Sequence, residues 1–218
     1  MEPRYFSTRK TARYYLSATP SGRHKVICYV LHGYGQLAPY FIKKFAALQR
    51  PDILFVAPEG LHRFYLQGTG GRVGATWMTK EDRLYDIADY NHYLQGLSEH
   101  LEAGQGYEKR FLLGFSQGVA TACRWLMHSP QPFDALINWA GAFPPDLDYR
   151  EAYLQFGRLP TYLVLGKQDQ YISEEKLREH LQFLQQQHIE VKLRPYQGTH
   201  RIDSAVLKEI LEELHPFE

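Results

Sequence analysis

Hydrophobic residues occur along this chain in two patterns that alternate from one end to the other. Short runs of mostly apolar, often β-branched residues are typical of strands that are buried in a parallel sheet. Longer stretches with apolar residues three or four positions apart are typical of helices that pack on such a sheet. The runs predict strands over residues 25–31, 53–58, 110–115, 135–140, 161–166 and 190–196. The stretches predict helices from Pro39 onward and over residues 81–101, 118–127, 173–187 and 203–214.

The alternation of strands and helices predicts an α/β fold with a mostly parallel central sheet and helices on both faces. At 218 residues, a single domain that spans residues 1–218 is expected. The alternating polar and apolar positions of residues 4–16 predict a β-hairpin at the N-terminus. In open parallel sheets, ligands bind beyond the carboxyl ends of the strands. The residues that directly follow each strand are therefore the candidates for function.

Three side chains that are suited to acyl transfer follow predicted strands. Ser116 lies between two glycines where a strand gives way to a helix, and Asp169 and His200 follow two later strands. A serine hydroxyl is a weak nucleophile that needs a histidine to accept its proton, and a carboxylate orients that histidine. The order serine, aspartate, histidine along the chain is that of the α/β-hydrolases. The three residues therefore predict a catalytic triad.

Two backbone amides are candidates for an oxyanion hole, which stabilises the negative oxygen of the tetrahedral intermediate. Gln117 directly follows the serine at a predicted helix N-terminus and offers one N–H donor. Tyr34 lies in the glycine-containing loop after the strand at residues 25–31 and is expected to offer the other. The flanking glycines, Gly114 and Gly118, are expected to allow the tight turn that exposes Ser116.

Simpler interpretations of these residues exist. A serine between a strand and a helix can be an ordinary N-cap. Of the histidines that follow Ser116, only His200 lies in a short loop directly after the last strand, whereas His180 falls inside a predicted helix. For the carboxylate, Asp146 and Asp148 remain alternatives because both lie in the long connection after residues 135–140.

The segment of residues 61–80 begins at the carboxyl edge of the strand at residues 53–58. Its four glycines predict a mobile loop, and Phe64, Tyr65 and Trp77 are expected to line a substrate pocket. The alternative is a surface loop whose tryptophan packs against the long helix that follows.

Composition and charge narrow the function classes. The chain has 25 Lys+Arg against 24 Asp+Glu, and this balance gives no sign of a nucleic-acid-binding surface. Cys28 and Cys123 fall in a predicted strand and a predicted helix, which predicts buried thiols in a reducing compartment. With neither a membrane-spanning run nor a secretion signal, a cytoplasmic location without integral membrane association is expected. No metal is expected either, because no metal-ligand spacing occurs.

Six short pieces of the chain resemble those of the small α/β-hydrolases of the phospholipase/carboxylesterase family, which includes the acyl-protein thioesterases. These pieces are VLHGYG, APEG, the tryptophan of ATWMTKEDRLYDI, GFSQGVA, LGKQDQYIS and GTHRI. The resemblance implies an α/β-hydrolase fold with little or no cap domain, and hydrolysis of carboxylic esters or thioesters without a cofactor. The residues that it assigns to the triad and the oxyanion hole are Ser116, Asp169, His200, Tyr34 and Gln117.

Departures from that family bear on the substrate. Tyr34 stands where the acyl-protein thioesterases usually have leucine, and Val119 stands where they usually have glycine. We therefore expect a serine esterase that acts on small-molecule esters of short to medium acyl groups, and the departures give little support to a protein-depalmitoylating activity. The alternatives are a thioesterase or lysophospholipase, and a non-catalytic α/β-hydrolase that only binds ligands. A homodimer is left open.

Overall fold

The computed structural model describes residues 2–217. Its strands are β1 (Tyr14–Leu16), β2 (Val26–Leu31), β3 (Ile53–Pro58), β4 (His62–Gln67), β5 (Gly70–Thr76), β6 (Lys109–Phe115), β7 (Ala135–Trp139), β8 (Thr161–Gly166) and β9 (Lys192–Tyr196). Its helices are α1 (Ala38–Phe41), α2 (Lys43–Ala46), α3 (Arg83–Glu102), α4 (Gln117–His128), α5 (Tyr149–Phe156), α6 (Glu174–Gln186) and α7 (Ser204–Leu214).

Seven of the strands form one sheet in the order β1-β3-β2-β6-β7-β8-β9. Every neighbouring pair is parallel except β1 and β3, which are antiparallel. The strand that precedes Ser116, β6, lies near the middle, with β2 on one side and β7 on the other. The mostly parallel sheet with its helices confirms the predicted fold class.

The two faces of the sheet carry separate hydrophobic cores, because alternate side chains of a strand point to opposite faces. On β2, Val26, Cys28 and Val30 belong to one core, which α1, α2 and α7 cover. The intervening side chains of β2 belong to the other core, which α3, α4, α5 and α6 cover. Burial on both faces explains why the strand sequences are almost continuously apolar. Both cysteines are buried and unpaired, as expected.

The predicted N-terminal hairpin is wrong. Only β1 is a strand in that region, and it pairs with β3 instead of with a second N-terminal strand. The chain before β1 is fixed by a side chain: Arg13 Nε donates to Oε1 of the buried Glu59 at 2.6 Å. The alternating pattern at residues 4–16 therefore reflects one edge strand and its anchor, because no turn residue divides the segment.

The predicted mobile loop at residues 61–80 is also wrong. Strands β4 and β5 form a two-stranded antiparallel hairpin that is separate from the main sheet. An isolated bridge between Gln36 and Ala75 joins this hairpin to the loop after β2. The glycines that suggested a loop lie at the turn and along β5. Within residues 2–217, no helix has both the length and the apolar character that crossing a bilayer requires.

Candidate active site

Ser116 occupies a sharp corner between β6 and α4. Its φ of 54° and ψ of −116° lie in a region that non-glycine residues rarely adopt and that costs about 1–3 kcal/mol. The surrounding structure imposes this conformation, because the Ser116 amide donates to the carbonyl of Trp139 at 2.8 Å. A strained residue that the fold holds in place is a feature of functional sites.

The glycines around Ser116 are required by close packing of the backbone. A Cβ atom on Gly118 would lie 2.2 Å from the carbonyl oxygen of Leu31, and one on Gly114 would lie 2.4 Å from the carbonyl oxygen of Gly118. Neither glycine has a positive φ. We expected these glycines to provide conformational freedom for the turn. The structure gives a steric reason instead, because α4 begins against β2 and leaves no space for a side chain.

His200 and Asp169 are brought together from different loops. His200 Nδ1 lies 2.7 Å from Asp169 Oδ2, and the carboxylate side chain is fully buried. The other carboxylate oxygen accepts a hydrogen bond from the Tyr171 amide at 2.8 Å. Since the carboxylate accepts from Nδ1, the proton of a neutral imidazole lies on Nδ1 and leaves Nε2 as a proton acceptor. This is the arrangement that a general base needs.

The loops that carry these two residues are tied by backbone hydrogen bonds. The Lys167 amide donates to the carbonyl of Tyr196 at 2.9 Å, and the Gln168 amide donates to that of Gly198 at 2.9 Å. The His200 ring packs between Phe115 and Tyr171, with centroid distances of 5.0 and 4.7 Å. The histidine is thus oriented by packing as well as by Asp169.

A cavity of about 290 Å³ lies beside Ser116 and His200, and we call it the Ser116 pocket. It opens between the loop after β7, the strand β8 and the helix α6, and its walls are mainly apolar. Its lining includes Ser116, His200, Ala140, Leu165, Ile172 and Leu177. The structure therefore places the serine and the histidine at one apolar cavity.

The two amides that were predicted to form an oxyanion hole belong to segments that adjoin Ser116. Gln117 is the first residue of α4, and a Cβ atom on Gly33, the neighbour of Tyr34, would lie 3.1 Å from Ser116 Cβ. Within residues 2–217, neither the Tyr34 amide nor the Gln117 amide has a protein acceptor. Both N–H groups are thus unoccupied by a protein acceptor in the described residues, and their role as oxyanion donors stays a prediction.

A buried histidine orients one of these amides. His32 Nε2 accepts from the Gly60 amide at 2.9 Å, so its proton lies on Nδ1, which donates to the Gly33 carbonyl at 2.8 Å. Burial lowers the pKa of His32 to about 4, so the ring is neutral near pH 7. The Gly33 carbonyl and the Tyr34 N–H belong to one planar peptide group and point in opposite directions. Fixing the carbonyl therefore fixes the N–H.

Sequence reasoning missed this role of His32, although its position directly after β2 is a signal. It also missed what the Gln117 side chain does. Gln117 Oε1 accepts from the Trp77 amide at 3.2 Å, and Nε2 donates to the Met78 carbonyl at 3.0 Å. The residue after the serine thereby joins the elbow to the end of the hairpin.

The aromatic residues that were predicted to line the substrate pocket do not do so. Trp77 is fully buried, stacks on His32 at 5.0 Å, and donates from Nε1 to the His32 carbonyl at 2.8 Å. Its prediction as a pocket residue is wrong because β5 directs it into the core. Phe64 packs on the Tyr34 ring at 5.1 Å and Tyr65 is 49% exposed. In the part of the chain that the structure describes, neither lines the Ser116 pocket.

The alternative carboxylates have other partners. Asp146 pairs with Arg124 at 2.6 Å and with Arg83 at 2.8 Å, and this pairing lowers the pKa of its carboxyl. Asp148 accepts from the Arg150 amide at 3.0 Å as the N-cap of α5. His180, which its helical position had excluded as the base, lines the Ser116 pocket at α6, and burial lowers its pKa. Sequence reasoning did not identify it as a pocket residue.

Comparison with known proteins agrees with this fold. Residues 17–216 match the model of the phospholipase/carboxylesterase family. The crystal structure of esterase PE8 is 25% identical, with a TM-score of 0.70 over 93% of this chain and 99% of that one. Acyl-protein thioesterase 2 from Zea mays is 20% identical, with a TM-score of 0.70 over 94% and 98% of the two chains. No curated protein sequence matches the chain.

Proposed function

Because the chain belongs to the phospholipase/carboxylesterase family, we propose that it is a serine hydrolase that cleaves carboxylic esters of short to medium acyl groups. Ser116 is the nucleophile, His200 the general base and acid, and Asp169 the group that orients the histidine. One observation carries this proposal: the 2.7 Å contact between His200 and the buried Asp169 lies at the same apolar cavity as the strained Ser116.

Acylation begins when Ser116 Oγ attacks the carbonyl carbon of the ester, while its proton moves to His200 Nε2. The carbonyl oxygen becomes an oxyanion that the Tyr34 and Gln117 amides stabilise. The bond from the carbon to the leaving oxygen then breaks, and His200 gives its proton to that oxygen. The alcohol departs and an acyl-enzyme on Ser116 remains.

Deacylation repeats these steps with water as the nucleophile. His200 accepts a proton from the water as its oxygen attacks the acyl carbon, and it returns the proton to Ser116 Oγ as the acyl bond breaks. Asp169 keeps the imidazole in the tautomer with the Nδ1 proton and stabilises the imidazolium in both halves. His32 contributes indirectly, because it fixes the peptide group of the Tyr34 donor.

The dimensions of the Ser116 pocket support the proposed preference for short to medium acyl groups. Its volume of about 290 Å³ is at the lower end of the range for small-molecule sites. Leu165, Ile172 and Leu177 line the pocket with apolar surface that an acyl chain can contact. A long chain would have to leave the pocket and contact water.

A cytoplasmic location is part of the proposal. Cys28 and Cys123 are buried on opposite faces of the sheet, so the fold keeps the two thiols from pairing. Burial raises the pKa of each thiol, which keeps it protonated and unreactive. Free buried thiols are typical of proteins in reducing compartments.

A substrate series tests the proposal. Hydrolysis of neutral esters with acyl chains of increasing length is measured beside the matching thioesters, with the Ser116→Ala protein as control. The proposal predicts the highest kcat/KM for short to medium ester chains and no turnover by the control beyond background. Higher kcat/KM for every thioester would make the protein a thioesterase. Absence of turnover with every substrate by a folded protein would favour the non-catalytic alternative.

A further inference from the structure

A second and larger depression lies on the β2 side of β6, and we call it the basic groove. Its volume is about 700 Å³, and it runs between the loop after β2, the short helices α1 and α2, and the β4–β5 hairpin. Its lining includes Gly35, Gln36, Tyr40, Lys44, Leu66 and Arg72. None of the residues that line it is acidic.

The basic groove adjoins the loop that carries the proposed oxyanion donor. Its lining includes Gly35 and Gln36, which directly follow Tyr34 in the chain. The Gly35 amide donates to the Ala75 carbonyl at 2.8 Å, and the Ala75 amide donates to the Gln36 carbonyl at 3.1 Å. These bonds fix the hairpin wall to the loop that carries the oxyanion donor.

The two depressions lie on opposite sides of the strand that precedes Ser116. The basic groove is built on the β2 side of β6, and the Ser116 pocket is built on the β7 and β8 side. A substrate whose carbonyl group is bound at Ser116 would direct one half toward each depression. The Ser116 pocket is mainly apolar, although Lys176 also lines it, whereas Lys44 and Arg72 both line the groove. We therefore assign the groove to the other half of the molecule.

The charges of the groove are positive. Lys44 comes from α2 and Arg72 from β5, so the two cations come from elements on different walls. Within residues 2–217, neither forms an ion pair with a carboxylate. The nearest acidic residue along the hairpin base, Glu59, is buried and already paired with Arg13 at 2.6 Å. The net charge of the chain is only +1, so this positive potential is a local feature.

The groove also offers apolar surface beside the cations. Tyr40 is 68% exposed and Leu66 is 38% exposed, so both side chains leave apolar surface open to a ligand. The ammonium of Lys43 lies 5.6 Å from the centroid of the Tyr40 ring and adds a third cation nearby. Apolar walls with convergent cations suit an organic ligand that carries an anionic group.

We propose that the basic groove binds an anionic group, a phosphate or a carboxylate, on the alcohol or thiol half of the substrate. Lys44 and Arg72 contact the anion, and Tyr40 and Leu66 contact the organic part that bears it. The acyl half occupies the Ser116 pocket. This inference rests on the proposed hydrolase function, and it narrows the substrate class to acidic esters or thioesters.

A binding measurement tests the groove without any turnover. Hexyl phosphate is titrated calorimetrically into the Ser116→Ala protein at low salt, with hexanol as the neutral comparison. Replacing both cations, Lys44→Ala with Arg72→Ala, is expected to weaken hexyl phosphate binding by about tenfold or more. High salt is expected to weaken binding to the parent protein as well, because the groove is open to solvent.

Lys208→Ala with Arg23→Ala is the matched control, since both residues are exposed and line neither depression. It removes one lysine and one arginine, as the groove variant does, and is expected to leave hexyl phosphate binding within about twofold, because exposed charges outside the groove are screened. Equal weakening by this control would show that only net charge matters and would overturn the proposal. Hexyl phosphate affinity that is unchanged in the groove variant would overturn it too.

Hydrolysis then tests the side of the substrate on which the anion lies. Three butyryl or succinyl esters are compared: a neutral butyrate, a butyrate of glycerol phosphate, and a neutral alcohol ester of succinate. The proposal predicts the lowest KM for the phosphate-bearing alcohol, and it predicts that the groove variant loses this preference. A preference for the succinate ester would place the anion on the acyl half and contradict the proposal. Absence of turnover with all three would count against the hydrolase function, and the titration would still decide the groove.

Discussion

The Ser116 elbow and the tip of the β4–β5 hairpin are both rich in glycine, but only the elbow requires glycine for steric reasons. At the Ser116 elbow, a Cβ atom on Gly114, Gly118 or Gly141 would lie within 2.2–2.4 Å of a backbone oxygen. At the tip of the β4–β5 hairpin, no described atom lies within 4 Å of a Cβ built on Gly68, Gly70 or Gly71. The elbow is fixed by close backbone packing, and the hairpin tip is open.

Under the proposed function, this difference divides two roles between the regions: the elbow carries the reacting serine, and the hairpin contacts the substrate. The elbow fixes the strained backbone of Ser116 against β2, so the reacting atoms have little freedom to move. The hairpin tip is exposed and contributes Leu66 and Arg72 to the basic groove, where side chains can change without disturbing the sheet. Substitutions at the elbow are therefore expected to act on stability and kcat, and substitutions at the hairpin tip on KM.

The largest effect on kcat is expected from the removal of His200, the proposed proton acceptor of Ser116. His200→Ala should lower kcat on the order of 10⁴–10⁶-fold, about as much as Ser116→Ala, because the two residues act as one unit. The double variant should be little worse than either single variant. Additive losses in steady-state kinetics on a neutral ester would show that His200 is not the base that activates Ser116.

Two glycine substitutions compare the elbow and the hairpin directly. Gly118→Ala should lower the free energy of unfolding by more than about 4 kcal/mol or prevent folding, because its Cβ requires backbone movement. Gly70→Ala should change the free energy of unfolding by less than about 0.5 kcal/mol. Gly70 has no positive φ, and a Cβ built on it has no described atom within 4 Å. Denaturant unfolding of both proteins measures the difference. Similar changes in unfolding free energy for the two variants would contradict the contrast between the elbow and the hairpin tip.

Trp77→Ala tests whether the end of the hairpin belongs to the core. Its removal should cost about 3–4 kcal/mol of unfolding free energy, because it leaves a large cavity under His32. Since Trp77 lies outside the Ser116 pocket, KM should change in the same proportion for every acyl chain length. Tyr65→Ala, a change at a side chain of the hairpin that is 49% exposed, serves as the comparison. A selective rise in KM for long chains with Trp77→Ala would restore this residue to the acyl site.

The pH dependence of stability tests the buried histidine beneath the oxyanion loop. Burial lowers the pKa of His32 from 6.5 to about 4, so only the unfolded chain binds a proton between these values. Stability should therefore fall as the pH decreases through this range, and His32 should contribute up to about 3 kcal/mol of the loss. His180, whose pKa is lowered in the same direction, adds to it.

The measurement is the unfolding free energy at pH 7 and at pH 4.5 for the parent protein and for His32→Gln. The variant should be less stable at pH 7 and should lose less stability on acidification. An identical pH slope in the two proteins would mean that His32 is not the buried neutral group described above.

Much of the fold could be predicted from the sequence, because strands buried on both faces leave continuous apolar runs. The runs at residues 53–58 and 161–166 coincide with β3 and β8. The same logic placed Asp169 and His200 after strands, and the structure joins them at 2.7 Å. Their catalytic role stays a prediction until it is measured.

Other features could not be predicted, because they depend on tertiary contacts without a local signal. The β4–β5 hairpin depends on its bridge to Gln36, and its glycines locally indicate a loop. Aromatic residues line both cores and pockets, so the sequence does not say to which of them Trp77 belongs. The path of β5 places it in the core. The tautomer of His32 depends on the Gly60 amide, 28 residues away.

Covalent labelling of Ser116 tests the central claim most directly. The protein is incubated with a fluorophosphonate, and the adduct is located by mass spectrometry of the intact chain and of its peptides. The account predicts one adduct per chain, on Ser116, with no labelling of Ser116→Ala and strongly slowed labelling of His200→Ala. A folded protein that stays unlabelled, or an adduct on a different residue, would contradict it.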